Sequence, residues 1–217
     1  MLAEETGDSL LISDAARRVA QGLTVMSHCD QALELLRADI DRLEPGRGTG
    51  SSAYLSLYGM LFLMGAVVAA RANKPAAARD LLNEGHSIAH QLGYDGNECF
   101  TAFGPTNVHL HQVAVLLDLG DGTGAVSAAR NVTPDGLTRL PKERRANYYL
   151  DVARGHNLAG HHHNAVSTLL TAESLFPDEI RCRPVAIDLV EGLRRSSVGT
   201  HSAELHRLAA RIGLADD

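Results

Sequence analysis

The sequence predicts an all-α protein built from antiparallel helical hairpins. Alanine and leucine, both good helix formers, supply 61 of its 217 residues. Aromatic residues make up only 4% and tryptophan is absent, which disfavours an all-β sandwich or barrel. Turn signals divide the chain into runs of roughly 15–20 residues, as Leu33, Leu36, Ile40 and Leu43 illustrate with their steps of three and four. Short connections between such runs favour antiparallel neighbours, so we expect about nine to eleven helices.

The charge balance and the cysteines predict a cytoplasmic protein that does not itself contact nucleic acid. Lys and Arg number 20 against 26 Asp and Glu, for a net charge of −6, which disfavours a large phosphate-binding face. Cys29, Cys99 and Cys182 are far apart, as expected for reduced thiols. The N-terminus is acidic where a secretory signal would be basic. We predict a flexible segment at 1–13 and one continuous helical domain at 14–214.

One segment, Ala53–Ala70, contains no formal charge and reaches the lower length limit of a transmembrane helix. Its small residues, among them Gly59 and Gly65, would allow neighbouring helices to approach closely. No other segment is comparable, and no one-sided Lys/Arg cluster flanks this one. A buried inner helix is therefore the favoured interpretation, and no membrane contact is expected, although a membrane span stays open as the alternative.

Pairs of small residues recur at a spacing of twelve across predicted turns. The pairs are Ala20 and Ala32, Ala66 and Ala78, and Ala153 and Ala165. Alanine is the residue that fits where two antiparallel helices cross most closely. A leucine lies four residues after each pair, at Leu36, Leu82 and Leu169, and would fill the space beside the crossing.

This pattern resembles the tetratricopeptide (TPR) repeat. The best match carries Tyr149, Ala153, Ala165, Leu169, Ala172 and Pro177 where the motif has large, small, small, large, small and proline. The resemblance implies a TPR-like solenoid, in which the hairpins stack into a right-handed superhelix. The repeats here are spaced 46, 47 and 40 residues apart, as counted between Ala32, Ala78, Ala125 and Ala165. This spacing exceeds the usual period of about 34 and implies inserts or elongated helices.

Three further stretches, Phe103–Val108, Tyr148–Arg154 and Ile180–Pro184, resemble the C-terminal TPR region of actinobacterial helix-turn-helix regulators of the XRE type. The resemblance implies a non-enzymatic sensor domain of a transcriptional regulator. Such a domain binds a peptide, small-molecule or protein ligand in its concave groove or mediates dimerisation. No helix-turn-helix fits before Asp14, so DNA contact is expected from residues outside this chain. We expect a homodimer formed through a terminal repeat, with the N-terminal one favoured.

Polar residues on the predicted inner helices are the candidate ligand contacts. They are Asn107, His111, Asn147, Asp151 and Arg154. The last three are spaced to share one helix face and could project together into a groove with apolar walls. The alternative for Asp151 and Arg154 is a surface ion pair with no ligand.

The histidines and glycines offer weaker candidates. His86 and His90 share a helix face, as in zinc enzymes, but the glutamate of that motif and a third ligand are missing. Gly120, Gly122 and Gly124 follow a helix rather than a strand, which disfavours a phosphate loop. We therefore predict no catalytic residue, no metal and no cofactor. A protein–protein scaffold without a small ligand and a helical metalloenzyme at His86 and His90 remain the alternatives.

Overall fold

The computed structural model describes residues 9–46, 48, 50–196 and 203–214. Those residues form twelve α-helices and two short 3-10 helices and contain no strand, which confirms the all-α prediction. The helices are α1 (Ser9–Val25), α2 (Cys29–Leu43), α3 (Ser52–Arg71), α4 (Pro75–Leu92), α5 (Pro105–Asp118), α6 (Gly122–Ala129), α7 (Pro134–Arg139), α8 (Lys142–Leu158), α9 (His162–Leu175), α10 (Pro177–Arg181), α11 (Pro184–Arg194) and α12 (Ala203–Arg211).

The helix count exceeds the predicted nine to eleven because α7 and α10 are only six and five residues long. Such short helices carry too little apolar periodicity to be recognised as separate elements. At the N-terminus, residues 9–13 of the predicted flexible segment 1–13 belong to α1, and residues 1–8 lie outside the described part of the chain.

Local sequence explains where many of the helices begin. Proline occupies the first turn of five of them, α4, α5, α7, α10 and α11, where its missing N–H leaves no hydrogen bond unmade. Side-chain caps begin two further helices, α3 and α6, and also cap α7. Ser51 accepts a hydrogen bond from the Tyr54 amide, Asp121 from Gly124, and Thr133 from Gly136.

The described residues fall into two compact units. Unit 1 comprises α1–α5 and α7, and unit 2 comprises α6 and α8–α12. Each unit has its own apolar core.

The core of unit 1 is organised around α3, the uncharged helix that also meets the length and composition criteria for a membrane span. It packs against α1, α2, α4 and α5. Within its most apolar window, 78% of the residues are buried inside the protein. Helices α1 with α2 and α3 with α4 form antiparallel hairpins in unit 1, and α8 with α9 forms one in unit 2.

The alanines at the predicted crossings are fully buried. This holds for Ala20, Ala32, Ala66, Ala78, Ala153 and Ala165. Leu36 and Leu169 are buried beside them, whereas Leu82 is only partly buried. Because these methyl groups are fully buried, a larger side chain at any of the six positions would have to displace its neighbours.

The three hairpins end their first helix with the same turn. Ser27, Asn73 and Gly160 have positive φ angles of 64°, 54° and 77°. In each hairpin the next amide bonds a carbonyl five residues earlier at 2.8 Å, from His28 to Leu23, Lys74 to Ala69 and His161 to His156. This Schellman arrangement satisfies the last carbonyls of the helix and reverses the chain within two residues. The positive-φ residue lies seven residues after the first crossing alanine in all three hairpins.

Exchanging the residues at two of these turns should change stability in opposite directions. Ser27→Gly is expected to stabilise the protein by about 1 kcal/mol, because glycine adopts positive φ without a Cβ clash. Gly160→Ser is expected to destabilise it by about the same amount. Urea unfolding of the two variants measures both effects. A Ser27→Gly variant no more stable than the parent would contradict the conformational explanation.

Unit 2 is tied together by one buried carboxylate. Glu173 of α9 accepts hydrogen bonds from Arg181 of α10 and from Arg211 of α12, the latter through both of its oxygens at 3.0 Å. Burial alone would raise the pKa of Glu173, but the hydrogen bonds from Arg211 and Arg181 outweigh burial and lower it. Three helices of unit 2 therefore share one ionic contact.

Candidate functional site

The segment 93–104 connects α4 to α5 and sets the start of α5. The carboxylate of Asp95 accepts hydrogen bonds from the Thr106 amide at 2.8 Å and from the Thr106 hydroxyl at 2.7 Å. Gly104 precedes α5, and a Cβ there would lie 2.6 Å from backbone atoms of Tyr94 and Asp95. Only glycine at position 104 allows the two segments to approach this closely. The cap that results joins Asp95 to Thr106, eleven residues later in the sequence.

This connector holds three non-glycine residues in left-handed backbone conformations. Cys99, Phe100 and Ala102 have φ angles of 51°, 54° and 52°. Each costs about 1–2 kcal/mol relative to an ordinary conformation, and such strain concentrates at binding sites and switch regions. Phe100 is 83% exposed, whereas Ala102 beside it is buried. The connector therefore combines a strained backbone with a solvent-exposed phenylalanine ring, that of Phe100.

Phe103 anchors the connector to the core. Its ring is fully buried, and it lies against Gly59 of α3 so closely that a Cβ on Gly59 would overlap the ring. Its amide donates to the Thr101 hydroxyl at 3.3 Å, and its carbonyl accepts from the Gly96 amide at 3.1 Å. The position of Phe103, and with it the start of α5, depends on glycine at position 59.

Asn107, one of the predicted ligand contacts, lies in the first turn of α5 and is completely buried. Neither its side-chain oxygen nor its side-chain nitrogen has a hydrogen-bond partner among the described residues. The Ser56 hydroxyl, on the adjacent helix α3, is likewise buried and without a described partner. Each unmet group of this kind costs about 1–3 kcal/mol, so the fold carries a substantial penalty at this point.

His111, the second predicted contact in unit 1, lies one turn after Asn107 and is also buried. Its Nδ1 is 2.8 Å from the Asn107 carbonyl oxygen. Because a carbonyl only accepts, this ring nitrogen carries the proton and donates. His111 therefore hydrogen-bonds the backbone carbonyl of Asn107, and the amide side chain of Asn107 takes no part in this contact.

The other three predicted contacts share one face of α8 in unit 2. Arg154 pairs with Asp151 at 2.9 Å, with both side chains partly exposed. The Asn147 oxygen accepts a hydrogen bond from Arg183, which also pairs with Glu179 at 2.6 Å. The ion pair considered as the alternative for Asp151 and Arg154 is therefore present. A single groove lined by all five predicted residues stays a prediction, because they divide between the two units.

Three residues that matter at these positions were not found from the sequence. Asp95 caps α5, Ser56 is buried on helix α3, which packs against α5, and Arg183 binds Asn147. Arg183 lies 36 residues from its partner, and no local pattern marks such a contact. Asp95 could have been recognised, because an aspartate in a glycine-rich turn before a helix is a common capping arrangement.

The histidine candidates form no recognisable metal centre. His86 and His90 are both exposed on α4. Within the described ranges, no three His, Cys, Asp or Glu side chains are arranged to hold a metal ion. At the turn between α8 and α9, burial and the neighbouring His161 lower the pKa of His156.

Compared with known proteins, the chain matches no family model, no curated protein and no solved structure.

Proposed function

We propose that this chain is a non-enzymatic, TPR-like sensor domain of a transcriptional regulator, which binds a peptide or small-molecule effector and self-associates. Its hairpins would stack into a right-handed superhelix. The shared twelve-residue alanine spacing and the repeated turn support the TPR-like assignment. The three stretches that resemble XRE-type regulators, Phe103–Val108 among them, support the regulatory role. With a net charge of −6, DNA contact would be made by another segment or subunit.

The observation that carries the effector site is the buried, unsatisfied amide of Asn107. A primary amide offers two donors and one acceptor with two lone pairs, which matches a peptide bond or a terminal carboxylate of a ligand. Hydrogen bonds to such a ligand would recover the free energy that Asn107 costs in the unliganded fold. The strained connector at 93–104 would supply access, because backbone strain lowers the cost of opening it.

Substituting Asn107 tests this proposal. Asn107→Leu keeps the shape of the side chain and removes its polar atoms. It is expected to raise the free energy of unfolding by about 1 kcal/mol, because the buried unmet groups are lost. The matched control is Asn157→Leu, which removes an amide whose oxygen lies 3.1 Å from Nδ1 of His162 and should destabilise the protein. Urea unfolding of both variants measures the difference.

The same variants report on binding. A mixture of pentapeptides with free termini serves as the probe in thermal unfolding. Peptides that bind the native state raise the unfolding temperature of the parent protein and of Asn157→Leu, and leave that of Asn107→Leu unchanged. An Asn107→Leu variant that is less stable than the parent, or that responds to peptides as the parent does, would contradict an effector site at Asn107.

A protein–protein scaffold is the second candidate function. Phe100 favours it, since a phenylalanine 83% exposed on a strained connector is suited to anchor a protein partner. Under this alternative no peptide changes the unfolding temperature. The immobilised protein instead retains one stoichiometric protein partner, and Phe100→Ser abolishes that retention.

A further inference from the structure

Arg145 of α8 is a half-buried arginine that has no acidic partner among the described residues. Its Cζ atom lies 5.2 Å from the centre of the Phe176 ring, and that ring is itself buried. The Nε–H group of Arg145 is shielded from water and donates to no described atom. A cation–π contact attracts the charge but satisfies no N–H donor, so this guanidinium still lacks an acceptor.

Other arginines of unit 2 have the partner that Arg145 lacks. Five of them have a carboxylate oxygen within 4.0 Å, namely Arg154, Arg181, Arg183, Arg195 and Arg211. Glu173 and Glu179 lie three residues before and three residues after Phe176, but both already bind other arginines. Neither carboxylate is therefore available to neutralise Arg145.

The first turn of α8 adds positive charge at the same place. It carries Lys142, Arg144 and Arg145 and a single acidic residue, Glu143. The dipole of a helix disfavours cations at its N-terminal end and favours anions there. The local charge therefore opposes the helix dipole, and an anion bound at Arg145 would relieve this.

Tyr149 places a second donor on the same face of α8. It lies one turn after Arg145, and the centre of its ring is 6.2 Å from the centre of the Phe176 ring. Side chains four residues apart on a helix are neighbours, with Cβ atoms about 6 Å apart. Arg145 and Tyr149 thus pack on the same buried ring and bring a guanidinium and a hydroxyl to one stretch of surface.

We propose that unit 2 binds a phosphate group at Arg145, with the Tyr149 hydroxyl as a second donor. The planar fork of a guanidinium matches two oxygens of a phosphate. Phosphate is favoured over carboxylate because three cations lie within one helical turn and a phosphate dianion carries the larger charge. The site belongs to unit 2 and does not depend on the effector site at Asn107, so either can fail without the other.

Isothermal titration calorimetry of the full chain with inorganic phosphate, at constant ionic strength, tests the proposal. We expect a dissociation constant on the order of 1 mM for the parent protein. Arg145→Met keeps an unbranched apolar stem beside Phe176 and should weaken binding at least about 10-fold. Arg195→Met is the matched control, since it removes an arginine of the same unit whose side chain is 74% exposed, and it should leave binding unchanged. Phosphate binding that Arg145→Met does not weaken, or no binding up to about 20 mM, would overturn the proposal.

Two further titrations define the donors and the ligand. Tyr149→Phe keeps the ring and removes the hydroxyl, so it should weaken phosphate binding about 3-fold, and unchanged binding would remove Tyr149 from the site. Acetate should bind more weakly than phosphate, and equal binding would overturn the assignment to a phosphate group. Phenyl phosphate identifies the source, since tighter binding than that of inorganic phosphate assigns a phosphorylated organic molecule and equal binding assigns free phosphate.

Chemical protection of the parent protein gives an answer even if Arg145→Met fails to fold. Phenylglyoxal modifies accessible guanidinium groups, and mass spectrometry of peptides measures its reaction at Arg145 and at Arg195. Phosphate should slow the modification of Arg145 at least about 3-fold and leave that of Arg195 unchanged. Equal protection of the two arginines, or none at Arg145, would contradict a phosphate site at this position.

Discussion

Replacing Gly59 with alanine is expected to destabilise the protein by about 3 kcal/mol, although the same substitution in most helix interiors is stabilising. The added Cβ would lie 2.6 Å from Cε1 of Phe103 and closer still to Cζ. The Phe103 ring is fully buried and its backbone is hydrogen-bonded on both sides, so it has no space into which to move. The steric cost therefore exceeds the gain in helix propensity.

Urea unfolding of Gly59→Ala and of a control, Gly192→Ala, separates these two effects. A Cβ on Gly192 of α11 meets no atom within 4 Å, so this variant should be more stable by about 0.5 kcal/mol. Combining Gly59→Ala with Phe103→Leu should recover part of the lost stability, because the shorter side chain leaves room for the new methyl group. If the double variant lost the sum of the two single losses, the contact between the two residues would not be the cause.

Replacing Glu173 with glutamine is expected to destabilise unit 2 by about 2 kcal/mol at neutral pH. The substitution leaves Arg181 and Arg211 without a carboxylate at a buried position. The two arginine side chains remain 39% and 38% exposed, so water replaces part of the lost interaction and the loss stays below that of a fully buried pair.

The effect should depend on pH in a defined direction. Because the arginines hold the pKa of Glu173 below its ordinary value of 4.5, the stability it contributes is complete above that pH. That stability is lost as the pH falls through the lower folded-state pKa, where the carboxylate becomes protonated. The difference between the parent protein and Glu173→Gln should therefore vanish in strong acid.

Glu179→Gln is the matched control for Glu173→Gln. Glu179 pairs with Arg183, four residues later, at 2.6 Å, and both side chains are partly solvated. Its loss should cost no more than about 0.5 kcal/mol. Equal losses in the two variants at neutral pH, or a Glu173→Gln effect that persists in acid, would show that the triad does not hold α9, α10 and α12 together.

The hairpins could be predicted from the sequence because their determinants are local. Ala153 and Ala165 lie twelve residues apart across a glycine turn, and a spacing of this kind can be read without knowledge of the rest of the fold. The division into two units could not be read in this way. Residues 132–140 follow α6 along the chain yet belong to unit 1, and nothing local to them shows it.

The orientation of α1 was beyond prediction for a different reason. Its apolar residues follow the helical period and would be expected to face the core. The structure instead buries Ser13, whose hydroxyl accepts a hydrogen bond from Arg42 of α2 at 2.7 Å, and Thr24, whose hydroxyl donates to the Ala20 carbonyl within α1. Hydrogen bonds between helices depend on geometry that the hydrophobic pattern does not record.

The polar residues of α5 could be named from the sequence, but their surroundings could not. Asn107 and His111 were named as polar residues of an inner helix, and both are buried on α5. The burial of the Asn107 amide depends on the packing of α5 against α3, a helix more than 30 residues earlier in the sequence. The left-handed backbone conformations of Cys99 and Phe100 could not be predicted either, because residues other than glycine seldom adopt them and no sequence pattern indicates them.

The repeated turn has a consequence for how the chain can diversify. Within each hairpin the residue of positive φ and the crossing alanines keep fixed spacings, so an insertion there would rotate one helix away from its partner. The equivalent alanines of successive hairpins, Ala32, Ala78 and Ala165, lie 46 and 87 residues apart, so differences in length occur in the segments between the hairpins. The connector at 93–104 is one of these, and it carries Asp95, Phe100 and Phe103. New binding properties can therefore arise through insertions or substitutions in the connectors, while the helices themselves stay the same.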